Sequence, residues 1–148
     1  MNVEARLSSL QGFCFAAGSL FALVAVVAGA VGAHLVASDS VDAGRWQTAN
    51  QYHFYHSLAL LLVGSLWPYL RQSSFMLWGV FVCFCVGIFG FSVTLYIRVA
   101  FPGTGFAEMV SSVTPMGGML LMFGWLILFL AVIWRFIQQT RVAGRSEL

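Results

Sequence analysis

The sequence predicts an all-α membrane protein, a four-transmembrane-helix bundle with a short interfacial helix between helices one and two. Three observations carry this. Of 148 residues, 60% are hydrophobic and 8% charged, whereas about a quarter of residues are charged in soluble domains. A chain of 16.2 kDa with mean hydropathy +0.89 cannot bury that much apolar surface in water, because small domains bury only a modest share of their surface. Four apolar windows, about 12–34, 54–70, 75–97 and 113–137, approach the ~20 residues that cross a bilayer. No alternating strand pattern interrupts them, and backbone groups in lipid must be satisfied within their own segment, which selects helices. Residues 1–148 read as one transmembrane domain with no soluble domain.

Helix one follows a short polar tail. Its apolar run exceeds the 7–15 residues of a signal-peptide core, and Glu4 offsets Arg6, so it reads as a retained helix. Ala25, Gly29 and Ala33 recur at four-residue spacing, a pattern that lets two backbones approach closely. His34 closes the helix.

From Val36 to Gln51 the chain is first polar, then mixed. Ser40 is placed to cap a short helix carrying Val41, Trp46 and Ala49, with Trp46 at headgroup depth. That interfacial helix is expected to bend into helix two near Tyr52. Helix two opens on Tyr52-His53-Phe54-Tyr55-His56-Ser57 and closes at Trp67-Pro68-Tyr69. The short turn 72–74 makes helices two and three antiparallel neighbours.

Helix three carries a second small-residue row, Gly79, Cys83 and Gly87, and ends at Ser92, Thr94 and Tyr96 with Arg98 beyond. The next loop holds Pro102-Gly103-Thr104-Gly105 and Glu108. Helix four opens at Thr114-Pro115-Met116-Gly117-Gly118, with Thr114 as N-cap and proline where its missing N–H costs nothing. Cys14, Cys83 and Cys85 all lie in spans, an odd number without Cys-x-x-Cys, and read as apolar filler.

All seven basic residues are arginine. Arg6, Arg71, Arg135, Arg141 and Arg145 fall on one side of the four-span scheme, Arg45 and Arg98 on the other, which places both termini in the cytoplasm. A net charge of +2 without a basic patch leaves no footprint for nucleic acid.

The same scheme gathers His34, Tyr52, His53, Tyr55, His56, Ser92, Thr94, Tyr96 and Thr114 at one membrane face, while the opposite leaflet is apolar. Tyr52 and His56 share a helix face, and His53 neighbours His56 at three-residue spacing. Two readings stand. His34 and His56, with Tyr96 near, are candidates to hold haem, a metal or a quinone head, since imidazole is a common ligand. Against this, no third ligand and no His-Glu-x-x-His spacing is present. Alternatively the cluster is structural: Tyr96 and His56 hydrogen-bond between helices and set their rotation.

Several stretches resemble one family: Gly29-Ala-Val-Gly-Ala-His34; Trp46 with Ala49; Tyr52-His-Phe-Tyr-His56-Ser-Leu-Ala; and Gly87 before Phe91-Ser92 and Leu95-Tyr96. Thr114-Pro-Met-Gly-Gly118 and Gly124-Trp125 continue the pattern. Together they resemble the YgdD-like small inner-membrane proteins, domain of unknown function 423, a group that includes mitochondrial transmembrane protein 256. The resemblance covers about residues 12–130 and implies a four-helix protein of the bacterial inner membrane with no established activity. It places the motif residues His34, Trp46, Tyr52, His56, Ser92, Tyr96, Thr114 and Pro115 at the polar face. The sequence departs from the pattern at His53, where the family usually has glutamine, at Val93-Thr94, and in a longer third loop suited to docking a partner.

The functional expectation is a non-catalytic accessory subunit or an assembly and stability factor, in contact with membrane lipids and with other membrane protein subunits. No metal and no cofactor is assigned; lipid or quinone contact is the nearest to one. The alternative is a ligand-binding protein using His34 and His56. A small transporter is the weakest reading, because the spans lack carboxylates and matched broken helices. No nucleophile stands beside a base and no carboxylate pair lies in the spans, so the sequence does not read as an enzyme.

Overall fold

The computed structural model describes residues 9–36 and 41–143. The described residues are helical throughout except for short turns. Helix α1 is Ser9–Leu35 and α2 is Val41–Leu70; a 3₁₀ turn, Arg71–Ser73, leads into α3, Ser74–Ile88. A π turn, Phe89–Val93, joins α3 to α4, Thr94–Ala100, without a break in helical structure. The short α5, Gly105–Ser111, precedes α6, Thr114–Ala143. Ser9–Leu35, the stretch Val41–Ala100 and Gly105–Arg141 are each long and apolar enough to cross a membrane.

The short interfacial helix expected before Tyr52 is not a separate element. Val41–Leu70 is one helix of 30 residues, about 45 Å long. Between Arg45 and Val63 it contains no glycine or proline, and Ala49, His53, Ser57 and Leu60 are buried along one side. Nothing in the segment favours a bend. The proposed cap Ser40 lies outside the described residues.

Helix α1 runs antiparallel along α2. Gly32 meets Trp46, Gly29 meets Asn50, Gly18 meets Leu61 and Gly64 meets Cys14. In the same way α6 runs antiparallel along α3: Gly124 lies on Phe84, Gly87 on Leu121 and Gly90 on Gly117. The α2–α3 hairpin joins the two pairs through a core that includes Leu60, Val63, Leu77, Val80 and Phe84. At the hairpin end, Arg135 of α6 donates to the Tyr69 carbonyl at 3.2 Å and to Gln72 Oε1 at 2.5 Å.

The surface is inverted relative to a soluble protein. Leu23, Val26 and Val27 on α1, and Met122, Phe129 and Phe136 on α6, are all more than half exposed. In water such continuous apolar faces would drive aggregation; in lipid they are the solvent-compatible surface. At the other end, Phe101–Thr104 forms a turn with proline second and Gly103 third at φ +73°, the left-handed conformation that a type II turn requires there. Thr104 then caps α5 by accepting from the Ala107 N–H at 3.2 Å.

Candidate functional site

Helix α2 carries its polar residues on two stripes. Trp46, Asn50, His53 and Ser57 recur at three- and four-residue spacing. Tyr52 and His56 lie about 100° round the helix.

The first stripe meets α1 and α4. The Trp46 indole N–H donates to the Ala28 carbonyl at 2.8 Å, and its ring lies against Gly32, where a Cβ would overlap it. Asn50 packs over Gly29 and accepts from the Tyr96 hydroxyl at 3.1 Å. The Tyr96 ring sits on Trp46, centroids 4.7 Å apart. His53 is 2% exposed, between Phe21 and Tyr96 at 6.0 and 6.1 Å, and neither of its ring nitrogens has a hydrogen-bond partner. Ser57 donates back to the His53 carbonyl at 2.7 Å.

The second stripe meets α3 and α6. The Trp125 indole N–H donates to His56 Nε2 at 3.1 Å. An indole nitrogen only donates, so Nε2 is the acceptor and the imidazole proton sits on Nδ1. That Nδ1 donates to the Tyr52 carbonyl at 2.7 Å. Both nitrogens of His56 are therefore occupied by the protein itself. Tyr52 stacks on its ring at 5.9 Å, and Phe84 meets it edge-on at 5.3 Å.

A third contact joins the first residue of α4 to α6. The Thr94 hydroxyl donates towards the carbonyls of Gly90 and Phe91, at 2.9 and 2.8 Å. Thr114, expected as the N-cap of the last helix, is its first residue; its hydroxyl and that of Thr94 share a hydrogen bond of 2.8 Å. Ser92 beside it is buried with its hydroxyl unpartnered.

His34 and His56 do not converge. His34 is exposed in the last turn of α1. The pairing of Gly32 with Trp46 and Gly29 with Asn50 sets His34 level with about residue 44, some 18 Å along α2 from His56 at 1.5 Å per residue. The two cannot ligate one iron or one metal ion. Tyr55 is exposed on the outer side of α2, away from both stripes. Among the described residues, no three His, Cys, Asp or Glu side chains form a group able to hold a metal.

The small residues divide as well. Ala25 is buried, Gly29 meets Asn50, Gly87 meets Leu121 and Gly117 meets Gly90, whereas Ala33 is exposed and Gly79 has only Ile127 at 3.7 Å. Gly118 touches Phe91 at 3.4 Å.

A family model described as "Protein of unknown function (DUF423)" matches residues 28–118. This range runs from the last turns of α1 to the first turns of α6. The chain belongs to this family. Among its relatives is a UPF0382 membrane protein of Staphylococcus aureus (strain bovine RF122), 35% identical over 116 residues, 77% of this chain and 89% of the relative. Another is the UPF0382 membrane protein YwdK of Bacillus subtilis (strain 168), 31% identical over 118 residues, 78% and 92% of the two chains. No solved structure matches. The relatives are bacterial and named as membrane proteins, which agrees with the exposed apolar faces of α1 and α6.

In this family member the cluster includes two residues that pattern reading did not single out as site residues. Asn50 is one: the amide stands one turn before His53 and one after Trp46, a spacing visible in the sequence. Trp125 is the other. Its partner His56 lies 69 positions away, and no local spacing connects them.

Proposed function

We propose that this protein crosses the bacterial inner membrane four times with both termini cytoplasmic, and acts as a non-catalytic accessory subunit or assembly factor of a larger membrane complex. The four spans are α1, α2, α3 with α4, and α6; the first turns of α2 lie at the interface. Arg71, Arg135 and Arg141 at the hairpin end support this orientation, against Arg45 and Arg98 at the polar end.

The observation that carries the reading is that the polar cluster, His53 and Ser92 excepted, makes its hydrogen bonds within the protein itself. His56 spends both nitrogens on Tyr52 and Trp125, Asn50 takes the Tyr96 hydroxyl, and Thr94 takes Thr114. A hydrogen-bonded network of this kind sets helix rotation. It holds a rigid body whose outer faces on α1 and α6 are apolar and open, the surface with which a subunit meets lipid or another transmembrane helix. The test is purification of the tagged native protein in mild detergent, with its size and every co-purifying chain identified. Stoichiometric recovery within a defined larger complex is expected. Recovery as a lone small particle, under conditions that keep other complexes of that membrane intact, overturns the proposal.

A further inference from the structure

At the polar end two cavities lie side by side and differ sharply in character. One, about 150 Å³ and open on one side, is bordered by the first turn of α2, the end of α4, the turn at Pro102-Gly103 and α5. Four charged residues line it: Asp42, Arg45, Arg98 and Glu108. Asp42 and Arg45 pair at 2.7 Å and cancel. Arg98 and Glu108 share the same small cavity from different helices, yet they form no ion pair with each other; the Asp42–Arg45 contact is the one salt bridge among the described residues. Two opposite charges thus line one space without touching. The second cavity, about 470 Å³, is a groove lined by Val31, Leu35, Trp46 and Val99, and Asp42 borders both.

We propose that this pair of cavities binds one zwitterionic phospholipid with a primary ammonium headgroup. The phosphate lies at Arg98, whose guanidinium fork suits phosphate oxygens, and the ammonium lies at Glu108. The glycerol passes Asp42, and an acyl chain runs in the groove along Val31 and Val99. Charge sets the choice of lipid. The four groups sum to zero, so an anionic headgroup finds no excess positive charge, while a dipolar one meets an unpaired charge of each sign. Size favours the primary ammonium over the bulkier trimethylammonium, which also has no N–H to give Glu108. Depth agrees: Trp46 borders the groove, and tryptophan prefers the headgroup level. The site stands whether or not the protein works inside a larger complex.

The test uses the full chain in mild detergent, with thermal stabilisation followed as four compounds are titrated. These are phosphatidylethanolamine, phosphatidylcholine and phosphatidylglycerol with matched acyl chains, and soluble phosphoethanolamine. Phosphatidylethanolamine is expected to half-saturate at a concentration about tenfold below the other two lipids, as one charge-assisted contact supplies. Glu108→Gln should erase that preference without weakening phosphatidylglycerol. Arg98→Gln should weaken all three lipids. Arg71→Gln, at the hairpin end, should change nothing. Equal stabilisation by phosphatidylethanolamine and phosphatidylglycerol, or a preference that survives Glu108→Gln, overturns the proposal. Binding of soluble phosphoethanolamine as tight as that of the lipid overturns the acyl-chain assignment.

Discussion

Gly117→Ala tests the closest approach in the fold. At Gly117 a methyl group would overlap the Gly90 carbonyl carbon and the Phe91 nitrogen and stand 2.6 Å from the Gly90 oxygen, where ordinary contact is 3.4–4 Å. The obstacle is backbone on both sides, so no side chain can swing away. Helix α6 must lift from the π turn by about an ångström. The Thr94–Thr114 contact, 2.8 Å in the native fold, then passes beyond hydrogen-bonding range. Overpacking of this kind costs about 1–3 kcal/mol, and a lost interhelical hydrogen bond in a membrane protein adds about 0.6 kcal/mol. Set against the roughly 0.8–1 kcal/mol by which alanine is the better helix former, the expected net loss is about 1–3 kcal/mol, roughly 5- to 150-fold in the folding equilibrium. Reversible unfolding in mixed detergent micelles, followed by circular dichroism, measures it. Gly79→Ala is the matched control, since its new methyl meets only Ile127 at 3.7 Å, and alanine is the better helix former by about 0.8–1 kcal/mol. If Gly117→Ala unfolds at the same denaturant fraction as Gly79→Ala, the two backbones do not cross at Gly90.

His56→Leu should destabilise the protein by about 1–2 kcal/mol, because it leaves the Trp125 N–H without a partner where lipid offers none, whereas His53→Leu removes two unpartnered nitrogens and should be neutral or stabilising. Equal losses in thermal melts of the two variants would contradict the assigned bonding. In a double-mutant cycle of His56→Leu with Trp125→Phe, a coupling of about 0.6 kcal/mol, the average for interhelical bonds in membranes, and at most about 1.7 kcal/mol is expected; a coupling of zero would remove that bond from the account. Gly32→Ala should push the Trp46 indole off the Ala28 carbonyl and shift its fluorescence, best read in a variant keeping Trp46 alone; an unchanged emission maximum would show that α1 and α2 are not so closely seated.

The architecture was legible wherever it depends on one-dimensional hydrophobicity. Long apolar runs without strand alternation read as helices in lipid, so the all-helical class followed from composition, whereas the start of α2 at Val41 did not. Helix rotation is different, because it is decided by contacts between residues far apart in the chain. Gly79 and Gly87 belong to one small-residue row, yet only Gly87 takes a close neighbour in Leu121. The π turn at Phe89–Val93 re-phases α4 relative to α3, so a 3.6-residue count begun at Gly79 does not predict which way Thr94 or Tyr96 faces. The pairing of His34 with His56 failed for a related reason. With a helix start near Tyr52, both histidines stand at the same membrane face, a few residues from the loop that joins them. With the start at Val41, the chain has already risen some four turns before it reaches His56. The same early start brings Trp46 and Asn50 onto Gly32 and Gly29, two glycines three residues apart on α1 that leave room for them. The histidine separation and the seating of Trp46 and Asn50 are therefore consequences of one choice, continuing the helix through Arg45–Gln51, and a variant that breaks the helix there should undo both together.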